Sequence, residues 1–183
     1  DLRPELSEQL EIAMMGEARG WVAWDLAGWA KIATDAINSP SDGQPFGNDE
    51  QARYLGVESA LLLTPAPWIR LRGAHAWTHV VEGTLDHVPA HQLVAATRLR
   101  LPWQLWLDTD ITWVTERSSG AVMLDPYQLW DLQLGITLVH ELWARLGVAN
   151  LLDVTSEDRA LSPGPGRSFV LAMGGAWWQE GVR

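Results

Sequence analysis

Three side chains with metal-binding chemistry recur at helical spacing in the middle of the chain: His75, His79 and Glu82, followed by Asp86. On a helix, positions i, i+4 and i+7 share one face, and two imidazoles with a carboxylate make a ligand set for zinc, iron or manganese. A metal-dependent hydrolase built on His75, His79 and Glu82 is one reading of this stretch. The other is the solvated polar face of an amphipathic helix whose opposite side carries Trp77, Val81 and Leu85; that reading needs no cofactor.

A second constellation is cationic. Arg70 and Arg72 flank Leu71, and Arg98 and Arg100 flank Leu99, with Trp68 and Trp103 bracketing the two segments and Trp77 between them. In extended backbone, residues two apart share a face. If the two segments pair, four guanidinium groups meet on one side of a sheet, which is unfavourable unless carboxylates or an anion offset them. The formal net charge of the chain is −10. Residues 67–104 run against it, with these four arginines facing only Glu82 and Asp86, a local +2. The chemistry suits an anionic ligand, a single strand of nucleic acid stacked on Trp68, Trp77 or Trp103, or an acidic protein partner. Salt bridges to the protein's own acids are the plainer account.

A third stretch, Val139 to Gly147, resembles the active-site helix of zincin metallopeptidases at His140, Glu141, Leu142, Leu146 and Gly147. The resemblance implies a zinc-binding histidine and a glutamate general base. It covers nine residues, and Ala144 stands where that family places its second histidine. Without the second ligand the zinc site is incomplete. Glu141 and Arg145 then read as an i, i+4 ion pair on the outside of a helix.

Several chemistries are excluded. Cysteine is absent, which removes disulfide scaffolds, thiol catalysis and cysteine-ligated zinc. There is no phosphate-binding glycine loop, no dinucleotide fingerprint and no nucleophile elbow. No apolar run approaches the ~20 residues of a membrane-spanning helix, and the expectation is a cytoplasmic protein without membrane contact. Twelve tryptophans accompany two tyrosines and two phenylalanines, and Lys31 is the single lysine. A GC-rich coding bias explains most of that usage, and the paired tryptophans read as packing.

The elements that must position these groups read as follows. Pro4 to Ile37 is expected as a helix, with Val22, Leu26, Trp29, Ala33 and Ile37 on one face. Asn48 with Gln51 resembles a capping box for a helix over about 49–63. Residues 75–96 read as helical, and 126–146 reads as a core helix starting at Asp125-Pro126 with an apolar stripe of Leu129, Leu132, Ile136, Val139, Trp143 and Leu146. The segments around Arg70, Arg98, Leu105–Leu107 and a hairpin at Arg117–Gly120 are the strands. The expected fold is α+β, long helices on a small antiparallel sheet, with an all-α bundle as runner-up. At 183 residues the chain reads as one globular domain, and its start at Asp1 fits a fragment or processed form. The functional expectation is a non-enzymatic binding protein, with the hydrolase as the alternative.

Overall fold

The computed structural model describes residues 2–38, 47–83, 86–120, 122–138 and 142–175. Among them there is no helix. The expected helices over 4–37, 49–63, 75–96 and 126–146 are instead strands, and neither the α+β fold nor the all-α bundle is present. Nine strands form one antiparallel sheet in simple up-and-down order: β1 (Leu6–Ala18), β2 (Val22–Asn38), β3 (Gly47–Ala66), β4 (Ile69–Glu82), β5 (His91–Arg100), β6 (Leu105–Val114), β9 (Tyr127–Thr137), β10 (Trp143–Ala149) and β13 (Ser168–Gly174). Two small hairpins interrupt the meander. β7 (Arg117–Ser119) pairs with β8 (Val122–Leu124) between β6 and β9, and β11 (Glu157–Arg159) pairs with β12 (Ser162–Pro163) between β10 and β13.

The two ends of the sheet differ. Residues 19–21, 67–68, 101–104 and 138–142 connect strands at one end. Residues 83–90, 115–126 and 150–167 connect them at the other, and both hairpins lie at this long-loop end.

The register explains the sequence. Strand pairing aligns Ile69, Leu99, Leu107, Leu134, Leu146 and Leu171 in one row across six strands. The next row is Leu63, Leu71, Thr97, Thr109, Leu132, Val148 and Phe169. This face is mostly apolar, and it is not covered: Leu134 is 46%, Leu146 56% and Leu171 76% exposed. The expected buried stripe from Leu129 to Leu146 therefore does not exist, because the pleat sends Leu129 to one face and Leu132 and Ile136 to the other. A buried cluster is small, consisting of Ala33, Ala36, Ala52 and Tyr54 with Trp29 against it. A 183-residue domain with a conventional core buries large side chains, yet none is fully buried among the described residues.

The opposite face is polar. On β4, β5, β6, β9 and β10 it carries Arg70, Arg72, Arg98, Arg100, Asp108, Asp110, Asp131, Gln133 and Arg145. Three tryptophans of this face lie over a glycine on the neighbouring strand, Trp29 over Gly56, Trp106 over Gly135 and Trp143 over Gly174, and on the apolar face Trp24 does the same over Gly16. A Cβ at any of these glycines would meet the indole at less than normal contact distance, so glycine is required there by close approach.

Candidate functional site: the polar inner face

Arg70 and Arg98 sit directly opposite each other on β4 and β5, with Arg72 and Arg100 on the same face. The four guanidinium groups thus come together. The offset for this like-charge crowding comes from β6, which lies outside the expected site residues. Asp108 accepts two hydrogen bonds from Arg98, from Nε at 2.7 Å and from Nη2 at 2.6 Å, a bidentate ion pair. Asp110 lies one alternation further along β6, opposite Asp131 of β9. Arg70, Arg72, Arg100 and Arg145 have no carboxylate within ion-pair distance among the described residues.

Arg100, Trp106, Gly135 and Arg145 form one row towards the short-turn end. The Arg98 guanidinium stacks on Trp106 at 5.6 Å from the ring centre, and Arg145 stacks on Trp143 at the same distance. Arg145 Nη1 also donates to Gln133 Oε1 at 3.1 Å. Trp106, Trp143 and Arg145 line a concavity of about 680 Å³ with Arg98, Arg100, Gln104 and Thr137. The signal in the sequence was the alternation Leu105-Trp106-Leu107-Asp108-Thr109-Asp110, which separates an apolar from a polar face at every step.

Of the three tryptophans expected beside the arginines, Trp68 lines a hollow of about 390 Å³ with Arg70, Arg98 and Arg100, whereas Trp77 and Trp103 do not join them. Trp77 is on the apolar face, two residues from His75. Trp68 and Trp103 occupy the short turns and are 56% and 84% exposed, as is Trp21 at 40%. Trp77, Trp113 and Trp130 mark the apolar face towards the long-loop end. They step diagonally across the strands: Trp77 pairs with His91, Trp113 with Leu93 one alternation lower, and Trp130 with Ile111 one lower again. Such a diagonal is what a level line looks like on strands tilted from the vertical.

The metal set is not assembled. His75 and His79 stand four residues apart on a strand, about 13 Å along it, which exceeds the reach of a shared ion. Glu82 turns away at a bulge to pair with Arg53 at 3.3 Å. No group of three or more metal-ligating side chains occurs among the described residues. The contact that does form is between His75 Nε2 and His91 Nδ1, at 3.1 Å across β4 and β5 on the apolar face. Val139, His140 and Glu141 lie outside the described residues. Ala144, Leu146 and Gly147 of the zincin-like stretch are on strand β10, so the helix that the resemblance implied is absent there.

Residues 1–151 match the family profile described as TonB-dependent receptor-like, β-barrel. Solved structures with the same fold include P. aeruginosa FpvA bound to heterologous pyoverdines (17% identity, TM-score 0.75, covering 94% of this chain and 27% of that one). The FrpB iron transporter from Neisseria meningitidis is similar at 14% identity and a TM-score of 0.74, over 92% of this chain and 30% of that one. The ferric-catecholate import receptor Fiu from K12 E. coli, in its closed form, is similar at 15% identity and a TM-score of 0.72, over 93% and 27%. The chain therefore spans under a third of the length of these structures. Receptors of this kind are outer-membrane proteins, which overturns the expectations of a cytoplasmic location and of no membrane contact. It also overturns the nucleic-acid and acidic-partner readings and the hydrolase alternative. Among the described residues no helix is long and apolar enough to cross a membrane, which bears only on helical spans, whereas strands cross a bilayer with about 10 residues each.

Proposed function

Because the chain belongs to the TonB-dependent receptor-like β-barrel family, we propose that it forms part of the wall of an outer-membrane receptor that imports a metal chelate. The observation that carries this reading is the two-sided sheet. In lipid the apolar face needs no cover, and the polar face lines an aqueous interior. The tryptophan levels fit bilayer dimensions. Trp68 and Trp77 are nine residues apart, about 30 Å along a strand and about 23 Å in height at a tilt near 40°, close to the ~25 Å apolar band of such barrels. Short turns face the periplasm and long loops the exterior in these barrels, so the loops 83–90, 115–126 and 150–167 face outward.

The inner arginines belong to the route. Arg70, Arg72, Arg98 and Arg100, with Arg145, give the periplasmic half of this wall an excess of positive charge beside Asp108, Asp110 and Asp131. Guanidinium groups pair well with the oxygen-rich, anionic chelators that carry iron. Similar structures include a siderophore receptor and a copper transporter, which supports a metal-chelate cargo without fixing which one. The test is uptake of radiolabelled ferric catecholate, ferric hydroxamate and copper by cells with and without the full-length protein. The expected result is uptake of one of these that disappears when the proton-motive force is collapsed. Uptake of none, or uptake that survives the collapse, contradicts the reading.

A further inference from the structure

The long-loop end holds a second structured layer. Arg117, the first residue of β7, has a side chain only 1% exposed. Its Nη2 donates to the backbone oxygen of Glu157 and, at 3.1 Å, to Asp158 Oδ1, both on β11. Its guanidinium also lies 4.9 Å from the ring centre of Tyr127, whose hydroxyl donates to the same Asp158 oxygen at 2.9 Å. The Ala160 amide donates to Ser119 Oγ at 3.1 Å, a second tie between the two hairpins. The hairpin of β7 and β8 is also tied backwards: Ser118 Oγ donates to Asp86 Oδ1 at 2.8 Å, and the His87 amide donates to the Ser118 carbonyl at 2.8 Å. Two other loops thus meet on this one small hairpin.

The placement of this knot matters. Tyr127 pairs with Val114, and both side chains lie on the inner face. The hairpins are therefore anchored over the interior side of the sheet, at the outer mouth. Val114 is 4% exposed, far more buried than the wall residues below it. A buried arginine that shares one carboxylate with a tyrosine is a costly arrangement to lose and a poor one to loosen halfway. Asp158 is itself 83% exposed, so the cost falls on the arginine: removing Asp158 leaves the buried Arg117 charge without its carboxylate. Arg117 Nη1 already lacks a partner among the described residues. Such a pair favours two discrete states, joined or parted.

We propose that Arg117, Asp158 and Tyr127 form the latch of a two-hairpin lid over the outer mouth, holding residues 115–126 and 150–167 together as one closing unit. Arg117 acts as a positioning residue, since it holds the loops and touches no cargo. The inference rests on the outer-membrane barrel reading, and the experiment separates the two. This chain contains no cysteine, and with any cysteine elsewhere in the full-length protein replaced by serine, single introduced thiols report cleanly. In the full-length protein on intact cells, an impermeant fluorescent maleimide is applied to Met123→Cys, in the exposed part of the hairpin, and to Val114→Cys, at its root. The expected result is rapid labelling of Met123→Cys and slow labelling of Val114→Cys. Adding Arg117→Ala, or the milder Tyr127→Phe, should speed labelling of Val114→Cys, by at least tenfold for the arginine. Joining the hairpins through a Ser119→Cys/Ala160→Cys disulfide, formed before Val114→Cys is exposed to reagent, should restore the slow rate. Unchanged Val114→Cys labelling in both latch variants, with Met123→Cys still labelled, overturns the latch and leaves the barrel. Failure of Met123→Cys to label on intact cells overturns the barrel reading and the latch with it.

Discussion

An arginine placed at Leu107 should distinguish a lipid-facing wall from an ordinary sheet surface. Leu107 lies on the apolar face between Leu99 and Leu134. It is four residues from Trp103 and six from Trp113, about 13 and 20 Å along the strand. At a tilt near 40° it sits close to the middle of the apolar band, where arginine costs about 2–4 kcal/mol. Thr112, on the same strand, faces the interior. There an arginine remains hydrated, and the cost should stay within about 1 kcal/mol. The assay is reversible denaturant unfolding of the full-length protein in phospholipid vesicles, comparing Leu107→Arg with Thr112→Arg. A Leu107→Arg cost as small as that of Thr112→Arg would refute a lipid-facing position for Leu107. On a water-exposed sheet face both changes would be small.

Other expected outcomes follow from individual contacts. Gly135→Ala drives a methyl group into the Trp106 ring and should destabilise by about 1–3 kcal/mol, measured by the same unfolding assay, whereas a neutral result would mean that the indole does not lie over the glycine. Asp108→Asn removes the bidentate partner of Arg98. Because Arg98 is about half exposed, the loss should be at most about 1 kcal/mol and should shrink further in high salt. Asn150 is 5% exposed and its side chain bonds the backbone of Val154 and Pro165, so Asn150→Ala should loosen loop 150–167 by about 1–3 kcal/mol, seen as faster protease cleavage there with the barrel intact.

The sequence was legible at the start of β4, the end of β5 and the start of β6, because Ile69-Arg70-Leu71-Arg72 and Thr97-Arg98-Leu99-Arg100 alternate between charge and hydrocarbon; the rest of β4 and the start of β5 fall in the stretch expected as helix. It misled elsewhere for a physical reason. A lipid-facing strand in a barrel carries apolar residues outward, but its inward positions are often small or aromatic. Ala23, Ala27, Trp29 and Ala33 of β2 are inward and blur the period of two. Residues with high helix propensity, such as Ala, Leu and Glu, then supply matches at every third and fourth position by chance. In Leu129, Leu132 and Ile136 such a match joined residues from opposite faces. The tryptophan excess was the missed clue. Trp21, Trp68 and Trp103 fall in successive short turns, which no globular core requires, whereas an interfacial girdle does. The cationic cluster was visible from spacing alone. Its partner Asp108 was not, because strand pairing over ten residues of separation sets that contact.

A membrane-spanning sheet requires the residues of β6 to face lipid and water in turn. Single cysteines from Leu105 to Trp113, spin-labelled in the full-length protein in lipid vesicles, can be probed by collision with oxygen, which concentrates in lipid, and with a polar nickel chelate, which stays in water. Labels at Leu105, Leu107, Thr109, Ile111 and Trp113 should favour oxygen, and those at Trp106, Asp108, Asp110 and Thr112 should favour nickel, in strict alternation. A period near 3.6, or nickel access at every position, would contradict the membrane-spanning sheet.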